Sequence, residues 1–356
     1  MKTPTNLGEL RKEWFTEGLF EAGVLESASV TDFSVEPIGA DFGFLSTVGR
    51  VSLSYDRTEP EAPRTLVVKL EPDTGTLRQI GDELHAFERE IRFYREVGPF
   101  APIRLARLYF ATTEAPDYAM VMEDLSFAEP GDQVQGLHAE QVRKIAADIG
   151  RLQGHYWGKE ALSGLAWMPE TNGTGEDFRA LWPSFVEHFG YALTPEGRAL
   201  GDRVVDQMTW VDAEIAQRPK TIVHADLRAD NLMLGPVGTP EEVLILDWQL
   251  AIRSMGAFDV ARMMGGSELP DERHGHQLDV LQSWYGALRE TGVRDYDWEE
   301  ALRDLRLGAL SAMSYPVHFH LGLLDATGRA KTVIELMCQR LFDSAAEMDA
   351  GSVLPR

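Results

Sequence analysis

One stretch constrains the fold of this chain more than any other: residues 222–249, IVHADLRADNLMLGPVGTPEEVLILDWQ. Two short apolar runs, NLML and VLIL, flank a turn rich in Gly and Pro, so they read as the two strands of a hairpin. A hairpin folds its two ends together. The residues at those ends are polar: Asn231 starts the first strand, Asp247 closes the second, and Asp226 lies in a loop just after the run IVHAD. An apolar hairpin with polar groups gathered at one end needs a surrounding core, and the flanking sequence supplies it.

Upstream, residues 7–24 read as an amphipathic helix. From Phe33 to Leu70 the pattern turns to strands (FSVEPIGA, FLSTVGRVSLSY, RTLVVKLEP) broken by Gly, Asp and Pro. A helix is expected over 79–97, with Leu84, Phe87, Ile91 and Tyr94 as its apolar stripe. Two more strands follow, RLYFAT and YAMVMEDL. The character then changes. LHAEQVRKIAADIGRLQGHYWG is one helix, others run to about Ala213, and from about Ala257 the chain is almost wholly helical. Strands first and helices later, with a hairpin inside the helical half, predict an α+β protein of two lobes joined near Asp124.

The 356 residues are 44% hydrophobic, ample for such a core, and carry a formal net charge of −23. That acidity argues against a nucleic-acid surface, which needs clustered Lys and Arg, and against an anionic membrane. No apolar run reaches the ~18 residues of a membrane span, and the N-terminus lacks a signal-peptide core, so a cytoplasmic protein is expected. Oligomeric state is not readable. Cys338 is the one cysteine. It excludes an intrachain disulfide and a thiolate metal cluster, and its apolar setting, ELMCQRLF, reads as core.

Phosphoryl transfer asks little covalent chemistry of a protein: the attacking oxygen must be positioned, metal ions held and phosphate charge neutralised. Asp226 is placed to face an acceptor hydroxyl. Asn231 and Asp247 offer the hard oxygen ligands that magnesium prefers. The blander reading is that Asp226 and Asn231 only bond backbone at a tight turn, but that accounts neither for the hairpin nor for the upstream features.

HADLRADN and LILDWQLA resemble the catalytic and metal-binding motifs of the aminoglycoside phosphotransferase and choline kinase superfamily, which has the protein-kinase-like fold. F-x-x-E-x-x-F-Y at Phe87, P-D-Y at Pro116 and M-E-D-L at Met122 resemble its ecdysteroid kinase-like branch, although that branch often has Asp-Phe-Gln where this chain has Asp247-Trp248-Gln249. The resemblance spans about Ile38 to Met264. It implies a nucleotide-binding lobe over 1–124, a catalytic and substrate-binding lobe over 125–356, and ATP and Mg2+ as cofactors. Asp226 would orient the hydroxyl and accept its proton, with Asn231 and Asp247 on magnesium. Arg228 falls near the transferring phosphate, where solvation or packing explains an arginine equally well, and His224 would hold the loop through its ring nitrogens.

Lys69 ends an otherwise apolar strand that tolerates a cation poorly without a partner. The resemblance makes it the lysine that binds the α and β phosphates and pairs with a helix glutamate. Periodicity allows Glu83, Glu88 or Glu90; the match to F-x-x-E-x-x-F-Y selects Glu90. Residues 39–46, GADFGFLS, sit where a phosphate-covering loop belongs, with Ser46 as its candidate group, but they lack G-x-G-x-x-G and an ordinary hairpin is the alternative. Glu123 and Leu125 fall in the interlobe hinge, whose main chain would bond adenine. Asp259, in AFDVARMM, reads first as a helix N-cap and matches the P-x-x-D-L-A region of the superfamily.

The acceptor side is expected from helices after about 126 and 268. Their rings (among them Trp157, Trp182, Trp284, Tyr315 and Phe319) are mostly core, yet they lean towards a partly hydrophobic alcohol over an aminoglycoside or a choline-like cation. His318 and His320 lie in helical context and read as packing or surface groups, and His274 and His276 likewise. Two rivals stand beside a small-molecule kinase: a nucleotide-binding pseudokinase, against which the intact Asp226, Asn231, Asp247 and Lys69 argue, and a protein kinase, against which the missing A-P-E motif argues.

Overall fold

The computed structural model describes residues 3–38, 46–72, 76–112, 118–158, 160–170 and 175–355. They form two compact units: residues 1–129 with 246–250, and residues 130–245 with 251–356. The division therefore falls after Glu129, and the short segment that carries Asp247 belongs with the first unit.

The first unit is built on an antiparallel sheet of β1 (Val30–Ile38), β2 (Thr47–Tyr55), β3 (Thr65–Leu70), β4 (Leu108–Thr112) and β5 (Ala119–Glu123), in the order β1-β2-β3-β5-β4. Alternation along β3 sets its two faces. Leu66, Val68 and Leu70 are fully buried in one core with Trp14, Phe15 and Leu19 of α1 (Lys12–Glu21). Each such burial stabilises by roughly 1.5–3 kcal/mol. Lys69 is thereby turned to the other face, its Nζ 5.8 Å from the centre of the Phe87 ring.

The helix expected over 79–97 is broken. It forms α2 (Thr76–Glu83) and α3 (Ala86–Arg92), followed by a π-turn, Phe93–Val97. His85 between them has φ 50°, a left-handed residue of the kind that ends helices. The buried Arg89 completes the stop by donating from Nη2 to the Leu84 carbonyl at 2.6 Å. Residue spacing sees the apolar stripe but not this local side-chain cap.

In the second unit α4 (Ala139–Tyr156) packs on the helix Gln277–Glu290. The helix Ala257–Ser267 is buried along its whole length, against Trp298–Ala312 and Gly328–Glu347. Two small sheets lie among these helices. Lys220–Val223 runs antiparallel to Ile252–Met255, and Leu232–Leu234 to Val243–Ile245 with Leu232 opposite Ile245. The loop 224–231 thus runs from the end of one pair to the start of the other. Among the described residues no helix is long and apolar enough to cross a membrane.

Candidate active site

In the second unit Asp226 lies at the centre of a charged cluster. Its Oδ1 accepts from Arg262 Nη2 at 2.9 Å, and its Oδ2 from Arg228 Nε at 3.1 Å and Asn231 Nδ2 at 3.1 Å. Asn231 Nδ2 also donates to the Asp226 carbonyl at 2.8 Å, which fixes the orientation of its carboxamide. Burial would raise the Asp226 pKa, but Arg228, Arg262 and His224 outweigh it and hold the carboxyl below the ordinary aspartate value. About a fifth of the side chain remains exposed. Asp226 is therefore a carboxylate at neutral pH, weakly basic and partly open. That suits a group that orients a hydroxyl more than one that removes its proton early.

The loop is held from several sides. Ala225 has φ 70°, a left-handed conformation costly for a residue with a Cβ, and such strain persists only where its surroundings over-determine it. Here they do. Ala225 N donates to Asp259 Oδ1 at 2.9 Å, and the Ala225 carbonyl accepts from the Tyr315 hydroxyl. Asp259 Oδ2 takes His224 N at 2.8 Å and Gln153 Nε2 at 3.0 Å. The expectation that Asp259 caps a helix is corrected: Gly256 is the N-cap, and Asp259 stands three residues in. There its buried carboxylate satisfies loop amides that have no helix of their own. Burial outweighs these three donors and pushes its pKa up to about 7.

His224 Nδ1 accepts from Asp226 N at 3.2 Å, holding the loop through a ring nitrogen. Further along, Ala229 N donates to Gln133 Oε1 and to Ser267 Oγ, both at 3.0 Å. Asp230 accepts from Arg228 Nη1 at 2.7 Å and Arg329 Nη2 at 2.8 Å. A Cβ on Gly131 would stand 2.2 Å from the Ala229 carbonyl, so only glycine lets that segment lie against the loop.

The first unit holds the other group. Lys69 Nζ donates at 2.7 Å to both Glu90 Oε2 and Asp247 Oδ1, with Lys69 and Glu90 almost fully buried. Burial would lower the lysine, but Asp247 and Glu90 outweigh it and hold the ammonium well above its usual pKa. Burial likewise raises Glu90, against the pull of Lys69. Glu83 is instead bonded by Gln79. Asp247 has φ 63°, and Trp248 beside it stacks on Phe93 with centroids 4.0 Å apart.

Glu123 Oε1 is held by Arg104 at 2.5 Å, Glu123 N donates to the Arg107 carbonyl at 2.8 Å, and the buried Leu125 accepts from Ala128 N at 2.9 Å. Ser46 lies half-buried just before β2. Residues 39–45 of the expected phosphate loop, and Pro116 and Asp117, lie outside the described residues.

Arg262, Gln133 and Gln153 did not emerge from the sequence, and Tyr315 emerged only as an aromatic. A signal for Arg262 exists: an arginine in the apolar run AFDVARMM, three residues beyond Asp259 and so on its helix face. The Arg262 guanidinium lies 4.7 Å from the centre of the Tyr315 ring, and Gly266 leaves room for it, since a Cβ there would stand 2.6 Å from Arg262 Nη1. The predicted aromatics are largely core: Trp284 and Phe185 are fully buried, Trp157, Trp182, Phe189 and Tyr156 nearly so.

Solved structures share this fold. A putative aminoglycoside phosphotransferase from Ralstonia eutropha JMP134 matches with a TM-score of 0.57 at 17% identity, over 97% of this chain and 100% of that one. Choline kinase from Cryptosporidium parvum Iowa II matches with a TM-score of 0.57 at 11% identity, over 91% and 92%. The F108L mutant of aminoglycoside 2′-phosphotransferase-IIIa, in its GDP complex, matches with a TM-score of 0.55 at 14% identity, over 96% and 100%. No curated protein matches the chain in sequence. The fold is thus the α+β, kinase-like one of these proteins. The chain belongs to the phosphotransferase enzyme family, whose model matches residues 48–302. Members of that family are small-molecule kinases that phosphorylate hydroxyls.

Proposed function

We propose that this protein is an ATP- and magnesium-dependent phosphotransferase that moves the γ-phosphate onto a hydroxyl of a small, partly hydrophobic alcohol. The observation that carries the reading is Asp226. It is kept ionised by two arginines, bonded to Asn231 at 3.1 Å, and set on a strained loop pinned from both sides. Asp226 orients the acceptor hydroxyl and takes its proton late, as a loose transition state requires. Arg228, nearly buried beside it, steadies charge on the transferring phosphate. Lys69, positioned by Glu90, donates to the α and β phosphates, with Ser46 beside them, and the main chain at Glu123 and Leu125 bonds adenine.

Asn231 and Asp247 are the groups that would hold magnesium, an amide and a carboxylate, since among the described residues His, Cys, Asp and Glu do not gather in threes around a metal position. Asn231 commits its NH2 to Asp226. Its carboxamide oxygen and the Asp247 carboxylate are hard ligands of the kind Mg2+ takes alongside water and substrate phosphates. The metal would supply neutralisation of phosphate charge.

A partly hydrophobic acceptor is supported by Tyr315, bonded to the loop at Ala225, and by Phe319, 6.1 Å from it and about half exposed. Leu321 and Leu324 nearby are similarly exposed. The motifs at Phe87 and Met122 put the chain, in our reading, in the ecdysteroid kinase-like branch.

The test is a screen of hydroxylated metabolites, cationic alcohols and antibiotics with ATP and GTP, reading ADP or GDP release and product mass. Asp226→Asn should keep nucleotide binding and lose roughly 10²–10⁴-fold in turnover. Equal turnover in wild type and variant would remove Asp226 from its role. Nucleotide binding with no turnover on any acceptor would leave the pseudokinase reading in its place.

A further inference from the structure

The first unit carries a recess of about 640 Å³ that the proposed reaction does not use. It is walled by Gly18 of α1 and Ala22 at its C-cap, by Tyr94 and Arg95 of the π-turn, and by the segment from Ile103 through β4. Its volume falls in the range of small-ligand sites, about 300–1,000 Å³. β4 is an edge strand of the sheet, so one side of the recess presents main-chain donors and acceptors.

The charge of the lining is opposite to that of the chain. Against 57 acidic and 34 basic residues overall, three arginines and a single carboxylate, Glu21, line this recess. Arg104 is held by Glu123. Arg95 donates to the Ala111 carbonyl at 2.7 Å, and Arg107 lies over the Tyr109 ring at 5.1 Å. Among the described residues no carboxylate is within ion-pair distance of either. Two guanidinium groups beside Ile103, Leu105 and Phe110 make a cationic rim over an apolar wall.

The recess also adjoins the nucleotide-side machinery of the same unit. Tyr94 lines it, packs edge-on to Phe93 at 5.7 Å, and Phe93 stacks on Trp248 next to Asp247. The Tyr94 hydroxyl is buried without a hydrogen-bond partner among the described residues. The π-turn that carries Tyr94 and Arg95 is an irregular element of the sort found at functional sites. Drawing Arg95 from Ala111 towards a ligand would bear directly on Tyr94 and Phe93.

We propose that this recess is a regulatory site for a small organic anion with an apolar body, an aromatic or medium-chain carboxylate or its sulfonate or phosphate equivalent, whose binding changes the affinity for magnesium nucleotide through Phe93 and Trp248. The coupling, though not the site, rests on the nucleotide reading above. The probe is 1-anilinonaphthalene-8-sulfonate, titrated by fluorescence into the full chain without nucleotide. Saturation at one site is expected. The double variant Arg95→Glu, Arg107→Glu should weaken binding at least tenfold, and Ala22→Trp, which fills the recess from an exposed helix end, should do the same with the far-UV dichroism unchanged. Saturating probe should then shift the MgATP dissociation constant at least threefold, and MgATP should shift that of the probe by the same factor. Probe binding that ignores both substitutions overturns the site. Normal probe binding with an unmoved MgATP affinity overturns the coupling, and normal probe binding with no nucleotide affinity at all sinks the kinase reading while the site stands.

Discussion

Replacing Arg262 by Gln takes away the guanidinium 2.9 Å from Asp226 Oδ1 while Arg228 keeps its contact with the other oxygen. An opposite charge this close lowers a carboxyl pKa by about 1–3 units. Unit charges ~4 Å apart attract by about 4 kcal/mol at an effective dielectric of 20. With Arg228 still in place, we expect Arg262→Gln to raise the Asp226 pKa from its depressed position. The sign follows from the depressed pKa of Asp226 in the folded protein. Its ionised form is fully populated above the ordinary aspartate value and is lost only as pH falls through the lower folded value. Wild type should therefore show no acid limb from Asp226 between pH 5 and 8, whereas in the variant that limb should move to higher pH. The assay is ADP release from MgATP across that range, in the absence of acceptor and then with whatever acceptor the screen finds. Because Arg262 is fully buried, thermal unfolding should be followed beside it. A variant profile that is the wild-type curve multiplied by a constant would refute the argument, since the guanidinium would then support the loop without tuning Asp226.

Lys69→Met leaves Glu90 and Asp247 without their shared cation, and breaking a buried pair on one side costs about 3–5 kcal/mol; calorimetry should show a lowered Tm together with loss of MgATP binding. Ala225→Gly should be neutral or stabilising by up to ~1 kcal/mol, because glycine adopts φ 70° without strain, whereas Ala225→Val should be strongly destabilising, both read from urea midpoints. Burial raises Asp259 to about 7, so between about pH 4 and 7 the folded state binds the proton that the unfolded chain releases. Its contribution to stability is present below the unfolded value and is lost as pH rises through 7. Unfolding free energy at pH 5 should exceed that at pH 8 by an amount that vanishes in Asp259→Asn.

Much of the architecture was legible because its signals are local. The apolar run TLVVKL is a property of neighbouring residues, and a cation at its end called for a partner before any neighbour was known. The hairpin 232–245 was equally plain from its apolar runs and turn. What failed, failed where a side-chain contact or a backbone turn intervened that residue periodicity does not encode. The helix over 79–97 is broken because Arg89 bonds Leu84 and His85 turns left-handed. Asp259 was read as a cap because capping is the local habit of aspartate. Its actual partners, His224 and Ala225, lie more than thirty residues upstream. Arg262 was overlooked since a charged residue in an apolar helix gives no hint of which carboxylate it meets.

By itself, the sequence determined the order of strands and helices, the family motifs, and the residue types that a hydroxyl phosphotransferase would need, because hydropathy period and motif spacing are written in consecutive residues. Only the tertiary structure decided that Asp226 sits between two arginines and that Ala225 is strained and pinned by Asp259 and Tyr315. It alone showed Asp247 sharing Lys69 with Glu90, the partner that the family resemblance implied. The physical reason is the same in each case: ionisation and backbone strain are set by charges and hydrogen bonds within about 3 Å, and the groups that supply them come from segments far apart along the chain.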